Sequence, residues 1–260
     1  MIITIDIGNT NIVLGGFSDT NLLFTARIAT NPLITEDEYA TKIQGVLDLR
    51  HANGNVEGVI ISSVVPPLNT IMTRAIQMVY GIKPLLVQPG IKTGVNLLCD
   101  NPATVGSDLI CACVAAKYLY CAPALIVDIG TATKIIATDK TGAMIGVSII
   151  PGVEIGLKAL ATYTAQLPQI SLEAPPSVLG KNTIDCMRSG VVFGNAAMLD
   201  GMIDRFCEER KEELPIIATG GLASTIIPHC KHNITLDPDL VLKGLCHIYR
   251  KNSNESGKTL

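Results

Sequence analysis

The sequence predicts an α/β protein in which one block, a β-meander followed by helices, occurs twice in tandem. Two segments carry this prediction, because "ITIDIGNTNIVLGG" at residues 3–16 is nearly repeated as "IVDIGTATKIIATD" at residues 126–139. Each has an apolar strand ending in Asp-x-Gly, then a turn rich in hydroxyl side chains, then a second apolar strand. Asp6 and Asp128 are 122 residues apart, close to half of the 260-residue chain. Each half has the size of an ordinary domain.

The bulk composition is that of a folded protein with a sizeable core. Hydrophobic residues make up 48% of the chain and charged residues only 17%, which excludes global disorder. The net charge of −3 argues against nucleic acid as the main partner. No signal peptide precedes the first strand pattern, and no apolar run reaches the roughly 18 residues of a membrane span. We therefore expect a cytoplasmic protein with no membrane partner.

The first half, residues 1–120, is predicted to form one lobe. Its first helix begins at Thr35, because Thr35 and Glu38 have the spacing of a capping box. A second helix begins at Pro66, and a largely apolar helix over residues 104–120 carries one early acid, Asp108. Strands are predicted from apolar runs at Ile2–Asp6, Asn11–Phe17, Leu22–Ile28, Val56–Val65 and Pro84–Val87.

The second half, residues 121–260, is predicted to form a second lobe with the same order of elements. Its strands are expected at Ala124–Asp128, Lys134–Asp139, Ala143–Ile150 and Pro215–Thr219. Its helices are expected at Val153–Thr164, Asn182–Glu208 and Leu222–His229. The polar tail over residues 251–260 is expected to fray, and its Gly-Lys-Thr is not a phosphate loop because no strand precedes it.

The two Asp-x-Gly turns have the composition of phosphate-binding turns. Glycine allows a phosphate to approach the backbone, and backbone N–H groups and hydroxyls can donate to it. Gly8-Asn9-Thr10 and the segment 130–133 supply these groups, and Asp6 and Asp128 could hold a cation against the phosphates. The alternative is that both turns are ordinary hairpins. The Gly220-Gly221 pair could similarly admit a nucleotide or be a plain strand-to-helix turn.

The eight cysteines form no CxxC pair and are interpreted as small buried hydrophobic side chains. The segment His229-Cys230-Lys231-His232, together with Cys246-His247, raises the alternative of a metal site, although the spacing fits no zinc pattern.

A series of short motifs resembles the type III pantothenate kinases, within the superfamily of acetate and sugar kinases, heat-shock ATPases and actin. In the family's order and spacing, the motifs are "DIGNTN" at 6–11, "NPATVGSD" at 101–108, "DIGTAT" at 128–133, "PG" at 151–152, "TAQLP" at 164–168, "GKNT" at 180–183 and "TGG" at 219–221. The resemblance implies duplicated actin-like (ribonuclease H-like) domains. Each would be a mixed five-stranded sheet flanked by helices, with a cleft between the lobes.

The resemblance also implies an activity and a set of site residues. Members transfer the γ-phosphoryl group of ATP, with Mg²⁺, to the primary hydroxyl of pantothenate in coenzyme A biosynthesis. They use K⁺ or NH₄⁺ as an activator and form homodimers. By similarity, ATP would be bound by Asp6, Ile7, Gly8, Asn9, Thr10, Asn11, Ile12, Val13, Thr131, Gly220 and Gly221. Asp6 would order the Mg²⁺ shell, Asp128 would coordinate the monovalent cation, and Asp108 would be the catalytic base. Pantothenate would be contacted by Cys99, Gly106, Ser107, Asp108, Leu109 and Thr183.

Four positions depart from the family's pattern. Leu109 stands where an Arg follows the base, and Cys99 stands where a Tyr is usual. Lys134 follows Thr133 where the second loop ordinarily continues with Thr or a similar residue, and Gly156 replaces a Ser. Leu109 cannot donate to a carboxylate, a charge-assisted bond worth about 1.5–3 kcal/mol, so weakened pantothenate binding is expected. Lys134 raises the hypothesis that an ammonium group replaces part of the cation's charge.

Three functions remain open from the sequence: a pantothenate kinase, a kinase of the same fold for another small alcohol, and a nucleotide-binding regulatory homologue without catalysis. Asp108 could also serve only to favour the start of its helix. For a homodimer, the long helices of the second half and the apolar face Ile110–Ala116 are candidate interfaces, although that face could equally be core.

Overall fold

A computed structural model describes residues 1–52 and 54–256 of the chain. Within this part the chain forms two compact units, the first made of residues 1–120 together with residues from Asp239 onward, and the second of Cys121–Pro238. The α-helices are α1 (Glu36–Leu49), α2 (Pro66–Tyr80), α3 (Ser107–Ala115), α4 (Val153–Tyr163), α5 (Thr183–Arg210), α6 (Ala223–Ile226) and α7 (Leu240–Ser256). None of the described helices has both the length and the apolar composition that crossing a membrane requires.

The first unit is built on a mixed five-stranded sheet. Its strands are β1 (Ile2–Ile7), β2 (Asn11–Ser18), β3 (Asn21–Ala29), β4 (Gly58–Ser63) and β5 (Leu85–Leu86). They lie in the order β3-β2-β1-β4-β5, in which β1, β2 and β3 form an antiparallel meander and β4 and β5 run parallel to β1. Helices α1 and α2 bury the apolar face of β1 that carries Ile3, Ile5 and Ile7. Helix α7 packs on the opposite face, where Leu242 approaches Thr4 and Gly15.

The second unit repeats this sheet strand for strand. Its strands are β6 (Leu125–Ile129), β7 (Ala132–Thr138), β8 (Met144–Pro151), β9 (Ile216–Thr219) and β10 (Ile234–Leu236). Their order, β8-β7-β6-β9-β10, and their pattern of antiparallel and parallel pairs match those of the first unit. Even the register irregularity recurs, at Gly16/Phe17 in one meander and at Ala137/Thr138 in the other. The duplication predicted from the two Asp-x-Gly segments is therefore confirmed in the backbone.

The helix signals in the sequence correspond to observed caps. Thr35 caps α1 through a complete capping box, in which the Glu38 N–H donates to Thr35 Oγ1 and the Thr35 N–H donates to Glu38 Oε2 at 2.9 Å. Asn182 caps α5 by accepting from the Asp185 N–H at 2.9 Å. The helix predicted over residues 104–120 begins later than expected, at Ser107, after a 3₁₀ turn at Pro102–Thr104. It ends where predicted, because α3 continues directly into a π-helical turn at Ala116–Tyr120.

The largest difference from the sequence predictions lies at the end of the chain. Strand β10 and helix α7 were not predicted, and residues 251–256 are helical, whereas 257–260 lie outside the described residues. Because α7 packs against α3 and β1, the described residues from Asp239 to Ser256 belong to the first unit and not to the second lobe that was predicted to begin at residue 121. The face Ile110–Ala116 is not an exposed candidate interface, since its residues 111–116 are buried, with Cys111 in close contact with Gly244 of α7.

Helix α7 also carries a histidine whose burial makes stability depend on pH. The His247 ring stacks on Tyr118 with centroids 4.1 Å apart. Burial, and then the neighbouring Lys251 and Arg250, lower the pKa of His247 from its ordinary 6.5. The unfolded chain therefore takes up a proton at a higher pH than the folded protein does. The contribution of His247 to stability is therefore fully present above pH 6.5 and is lost as the pH falls below it.

We expect His247→Phe to reduce this pH dependence, because phenylalanine keeps a stacked ring but cannot be protonated. The measurement is the unfolding free energy in urea at a series of pH values from 7 down to about 5. A variant whose unfolding free energy falls with pH as steeply as that of the parent would contradict the assignment.

Candidate active site

The first glycine turn joins β1 to β2 and carries most of the predicted ATP contacts. It is closed by the Gly8 N–H donating to the Asn11 carbonyl at 3.0 Å. The side chains of the turn residues Asn9, Thr10 and Asn11 are exposed, as a ligand-binding turn requires. The side chains of two predicted ATP-binding residues, Ile7 and Ile12, are instead completely buried. They anchor the hairpin in the core, and only their backbone atoms could meet a ligand.

A chain of hydrogen bonds joins this turn to the start of α3. Ser62, on the strand adjacent to Asp6, donates to Asp6 Oδ1 at 2.8 Å. The Ser62 and Ser107 hydroxyls lie 3.0 Å apart, and Ser107 Oγ also accepts from the Ser63 N–H at 2.9 Å. Ser62 and Ser107 are buried, so this polar chain lies largely out of water, where its geometry is held firmly. It fixes the position of Asp6 relative to the helix that carries Asp108.

Asp108 is the second residue of α3 and is partly exposed to solvent. Its Oδ1 accepts from the Leu109 N–H at 2.9 Å, which turns the carboxylate towards the helix N-terminus. A Cβ at position 106 would collide with this oxygen, so glycine is required there for the carboxylate to lie where it does. Gly106, Ser107 and Asp108 thus form one local arrangement at the start of α3.

The two residues that depart from the family's pattern in the first unit lie in different surroundings. Leu109 is only 7% exposed, so its side chain is part of the apolar packing. Cys99 is partly buried in the loop that precedes the 3₁₀ turn at Pro102–Thr104. Neither side chain offers a charged hydrogen-bond donor.

Cys111 and the Ser62-Ser63 pair were not predicted to belong to the site. Cys111 follows Asp108 by three residues on α3, a spacing that places both on one helix face. Burial, and then the negative charges of Asp6 and Asp108, raise the pKa of the Cys111 thiol well above its ordinary value. The serine pair interrupts an otherwise apolar buried strand, and that interruption was the sequence signal that could have identified it.

The wider set of cysteines fits the interpretation as buried hydrophobic side chains only in part. Cys111, Cys113 and Cys246 are buried, and burial raises the pKa of Cys113 to about 12. Cys186, in contrast, is exposed. All eight are free thiols.

The second glycine turn, between β6 and β7, differs from the first in one charge. Asp128 and Lys134 are direct cross-strand partners, and Lys134 Nζ lies 2.8 Å from Asp128 Oδ2. The side chains are 14% and 19% exposed, respectively, so most of this ion pair is withdrawn from water. In the first unit the partner of Asp6 across the hairpin is Val13.

Two further glycines support the second turn. Only glycine fits at Gly152, the residue before α4, because a Cβ there would collide with the Thr131 carbonyl. Gly220 adopts φ +99° and lies against the backbone of Ile129, so the fold alone requires a glycine at this position. Thr131 is exposed, but Thr133 is buried. Of the two hydroxyls predicted to contact phosphate at this turn, only that of Thr131 is open to a ligand.

Thr183, predicted to contact the acceptor, is the exposed first residue of α5. It lines a pocket of about 960 Å³ that also has Gly152, Leu160 and Asn182 in its walls. All of the lining residues belong to the second unit, and the volume lies within the range of small-molecule sites.

The histidine and cysteine segment at residues 229–232 is held against helix α5 by hydrogen bonds. The Lys231 and His232 N–H groups donate to the buried Asp200 carboxylate, and His232 Nε2 lies 2.9 Å from Asp204 Oδ1. Residues 1–52 and 54–256 contain no group of three or more His, Cys, Asp or Glu side chains that could hold a metal ion. The contacts account for the segment without a metal.

The sequence model of the family described as type III pantothenate kinase matches residues 2–205. The chain is also 41% identical, over 254 residues that cover 97% of both chains, to the type III pantothenate kinase of Bacillus cytotoxicus. The chain belongs to the type III pantothenate kinase family.

Solved structures with the same architecture show that the fold extends beyond type III pantothenate kinases. A Campylobacter jejuni protein described as a Baf family transcriptional activator superposes with a TM-score of 0.60 at 19% identity, covering 97% of this chain and 99% of its own. The Clostridium difficile activator of 2-hydroxyisocaproyl-CoA dehydratase, solved with bound ADPNP, superposes with a TM-score of 0.58 at 11% identity, covering 100% of this chain and 97% of its own. The predicted fold of duplicated actin-like domains is confirmed.

The residues of this family member fit the two implied cations differently. Mg²⁺ takes one or two carboxylates and otherwise keeps waters and phosphate oxygens, so Asp6 beside the first turn suits it. At the second turn, the carboxylate implied to coordinate K⁺ or NH₄⁺ is already paired with the Lys134 ammonium. Because the Lys134 ammonium already supplies one positive charge to Asp128, these side chains do not fit a K⁺ or NH₄⁺ ion in addition.

Proposed function

We propose that this chain transfers the γ-phosphoryl group of ATP to the primary hydroxyl of pantothenate, the first step towards coenzyme A. Its membership of the type III pantothenate kinase family supports the reaction class and the acceptor. The observation that carries the proposal is the chain of hydrogen bonds from Asp6 through Ser62 to Ser107, because it ties a phosphate turn to the helix start that bears Asp108.

In this proposal Asp108 is the base. Its carboxylate accepts the proton of the pantothenate hydroxyl as the hydroxyl oxygen bonds to the γ-phosphorus and ADP leaves. Phosphoryl transfer depends mainly on positioning and charge stabilisation, so a carboxylate fixed by Gly106 and the Leu109 N–H suits the role.

The nucleotide contacts follow the two turns. We assign the triphosphate to the backbone of residues 6–13 and to Thr131, with Asp6 holding the Mg²⁺ shell that screens the phosphates. Gly220 and Gly221 are assigned to the nucleoside, although packing against Ile129 already accounts for Gly220. Loss of Mg²⁺-dependent ATP binding in Asp6→Asn would support this assignment, and unchanged binding would contradict it.

The acceptor contacts are assigned to Cys99, to residues 106–109 and to Thr183. The pocket beside Thr183 has the size for a small molecule and mixes apolar walls with Lys181 and Asn182. Because Leu109 and Cys99 offer no charged donor to the pantothenate carboxylate, we expect a KM for pantothenate higher than that of family members with Arg and Tyr.

In Leu109→Arg the apolar stem of the Arg would occupy the packing that now holds Leu109, and its guanidinium would extend out of that packing to the acceptor. The variant is expected to raise kcat/KM for pantothenate about tenfold to a hundredfold, because a charge-assisted bond to a carboxylate is worth about 1.5–3 kcal/mol. Leu109→Met keeps an apolar side chain at this buried site and is the matched control, without the gain. Circular dichroism must confirm that both variants are folded at the assay temperature. Equal kcat/KM for the two variants would contradict the expectation.

We further propose a homodimer that acts in the cytoplasm. The second unit leaves large apolar side chains exposed on α4, on α5 and between them, namely Ile155, Leu160, Tyr163, Val178, Leu179 and Ile184. Such side chains favour burial against a second copy. Sedimentation of the purified chain as a monomer would contradict the dimer, and fractionation of cells with a tagged chain would test its location.

The experiment that tests the function is ADP release by the purified chain with pantothenate, compared with a panel of small alcohols that lack its carboxylate. Release that depends on pantothenate supports the proposal. Release with another alcohol but not with pantothenate would favour a kinase of the same fold with a changed acceptor, which the departures at 99 and 109 make the second candidate.

A further inference from the structure

The duplicated hairpins provide an internal comparison of two equivalent carboxylates. Asp6 and Asp128 occupy the same place in their sheets, each one residue before the end of the central strand. Across the hairpin, Asp6 is paired with Val13 and Asp128 with Lys134. The two turns therefore differ by one positive charge at one equivalent position.

The ion pair is built into the backbone register. Directly opposed residues of an antiparallel pair project from the same face of the sheet, so β6 and β7 hold the Asp128 and Lys134 side chains together. The 2.8 Å separation and the low exposure of both groups mark a close, partly desolvated pair. Its attraction is screened less by water and salt than that of a surface pair.

We propose that the Lys134 ammonium is a built-in monovalent cation at the second phosphate turn, which makes the kinase independent of added K⁺ or NH₄⁺. This inference rests on the proposed function, since it assumes that a triphosphate binds at residues 130–133. A carboxylate beside such a turn repels the phosphates unless a positive charge accompanies it, and Lys134 supplies that charge from within the hairpin.

An ammonium group and a monovalent cation are alternatives at this carboxylate. Lysine presents a single charge and three donors on a flexible stem, which is the chemistry of a tethered ammonium ion. A K⁺ ion bound to the same carboxylate would lie close to a like charge in a partly buried place and would be repelled. The side chain therefore excludes the ion that it replaces.

The test is ADP release with pantothenate in KCl, NH₄Cl and choline chloride at equal ionic strength, so that general screening is constant. We expect the parent to vary by less than about twofold among the salts, and Lys134→Thr to lose about tenfold or more in choline and to recover in K⁺. Lys134→Arg, which keeps the charge, should remain independent of the salt. Lys140→Thr, at an exposed lysine of the same meander, is the control and should behave as the parent does.

A second measurement requires no turnover. The rise in Tm caused by Mg²⁺-ATP reports nucleotide binding directly. It should be equal in K⁺ and choline for the parent and should require K⁺ for Lys134→Thr.

The outcomes separate the two proposals. A parent protein whose activity or ATP-induced Tm shift requires K⁺ overturns the built-in cation, whether or not Lys134→Thr folds. Failure to phosphorylate pantothenate in every salt overturns the proposed function, while the Tm shift still decides the role of Lys134. Absence of both turnover and an ATP-induced Tm shift in every salt overturns both.

Discussion

Asp108→Asn is expected to lower kcat for pantothenate phosphorylation by about 10²–10⁴-fold, the usual contribution of a general base. Asparagine preserves the shape of the side chain but cannot accept the proton of the attacking hydroxyl. Since Asp108 is placed at the acceptor, the ATP-induced rise in Tm should persist in the variant. The measurements are ADP release under saturating ATP and thermal unfolding with and without Mg²⁺-ATP.

The competing interpretation is that Asp108 only favours the start of α3. An acid in the first turn of a helix contributes about 0.3–1 kcal/mol, so its loss would lower stability slightly and leave kcat unchanged. Asp37→Asn is the matched control, because Asp37 is the exposed second residue of α1 as Asp108 is the second residue of α3. Equal, small losses of stability in both variants with full turnover would establish the structural interpretation.

The features that could be predicted from the sequence are those determined by local patterns. The repeated strand–turn–strand segments predicted the β-meander of each sheet, and the Thr35–Glu38 spacing predicted the observed cap of α1. Gly106 and Asp108 were singled out from a motif, and their mutual packing explains why the motif needs a glycine. Each of these features depends on residues close in sequence or on a pattern that the chain states twice.

The features that could not be predicted depend on contacts between distant residues. Helix α7 begins shortly after the unpredicted strand β10, and only its packing against α3 shows that the apolar face over residues 111–116 is core. Ser62 joins the site because the parallel pairing of β1 and β4 places it beside Asp6, 56 residues earlier. The Lys134–Asp128 pair lies within one hairpin. The sequence showed the lysine near Asp128, but the distance between the two charged groups could not be predicted from it.

Gly152→Ala is expected to reduce kcat/KM for ATP about tenfold to a hundredfold and to lower the unfolding free energy by about 1–3 kcal/mol. The new Cβ would collide with the Thr131 carbonyl, and backbone cannot yield as a flexible side chain does. The turn must therefore shift away from α4, which displaces the exposed Thr131 assigned to the triphosphate.

Gly194→Ala separates this effect from a general response to an added methyl group. Gly194 is an exposed residue within α5, and a Cβ there would meet no atom within 4 Å. Alanine should stabilise that helix by about 0.5–1 kcal/mol and leave ATP use unchanged. If Gly152→Ala loses stability but keeps its kcat/KM for ATP, the turn at residues 130–133 does not bind phosphate. The assignment of Thr131, and with it the need for a cation at Asp128, would then be wrong.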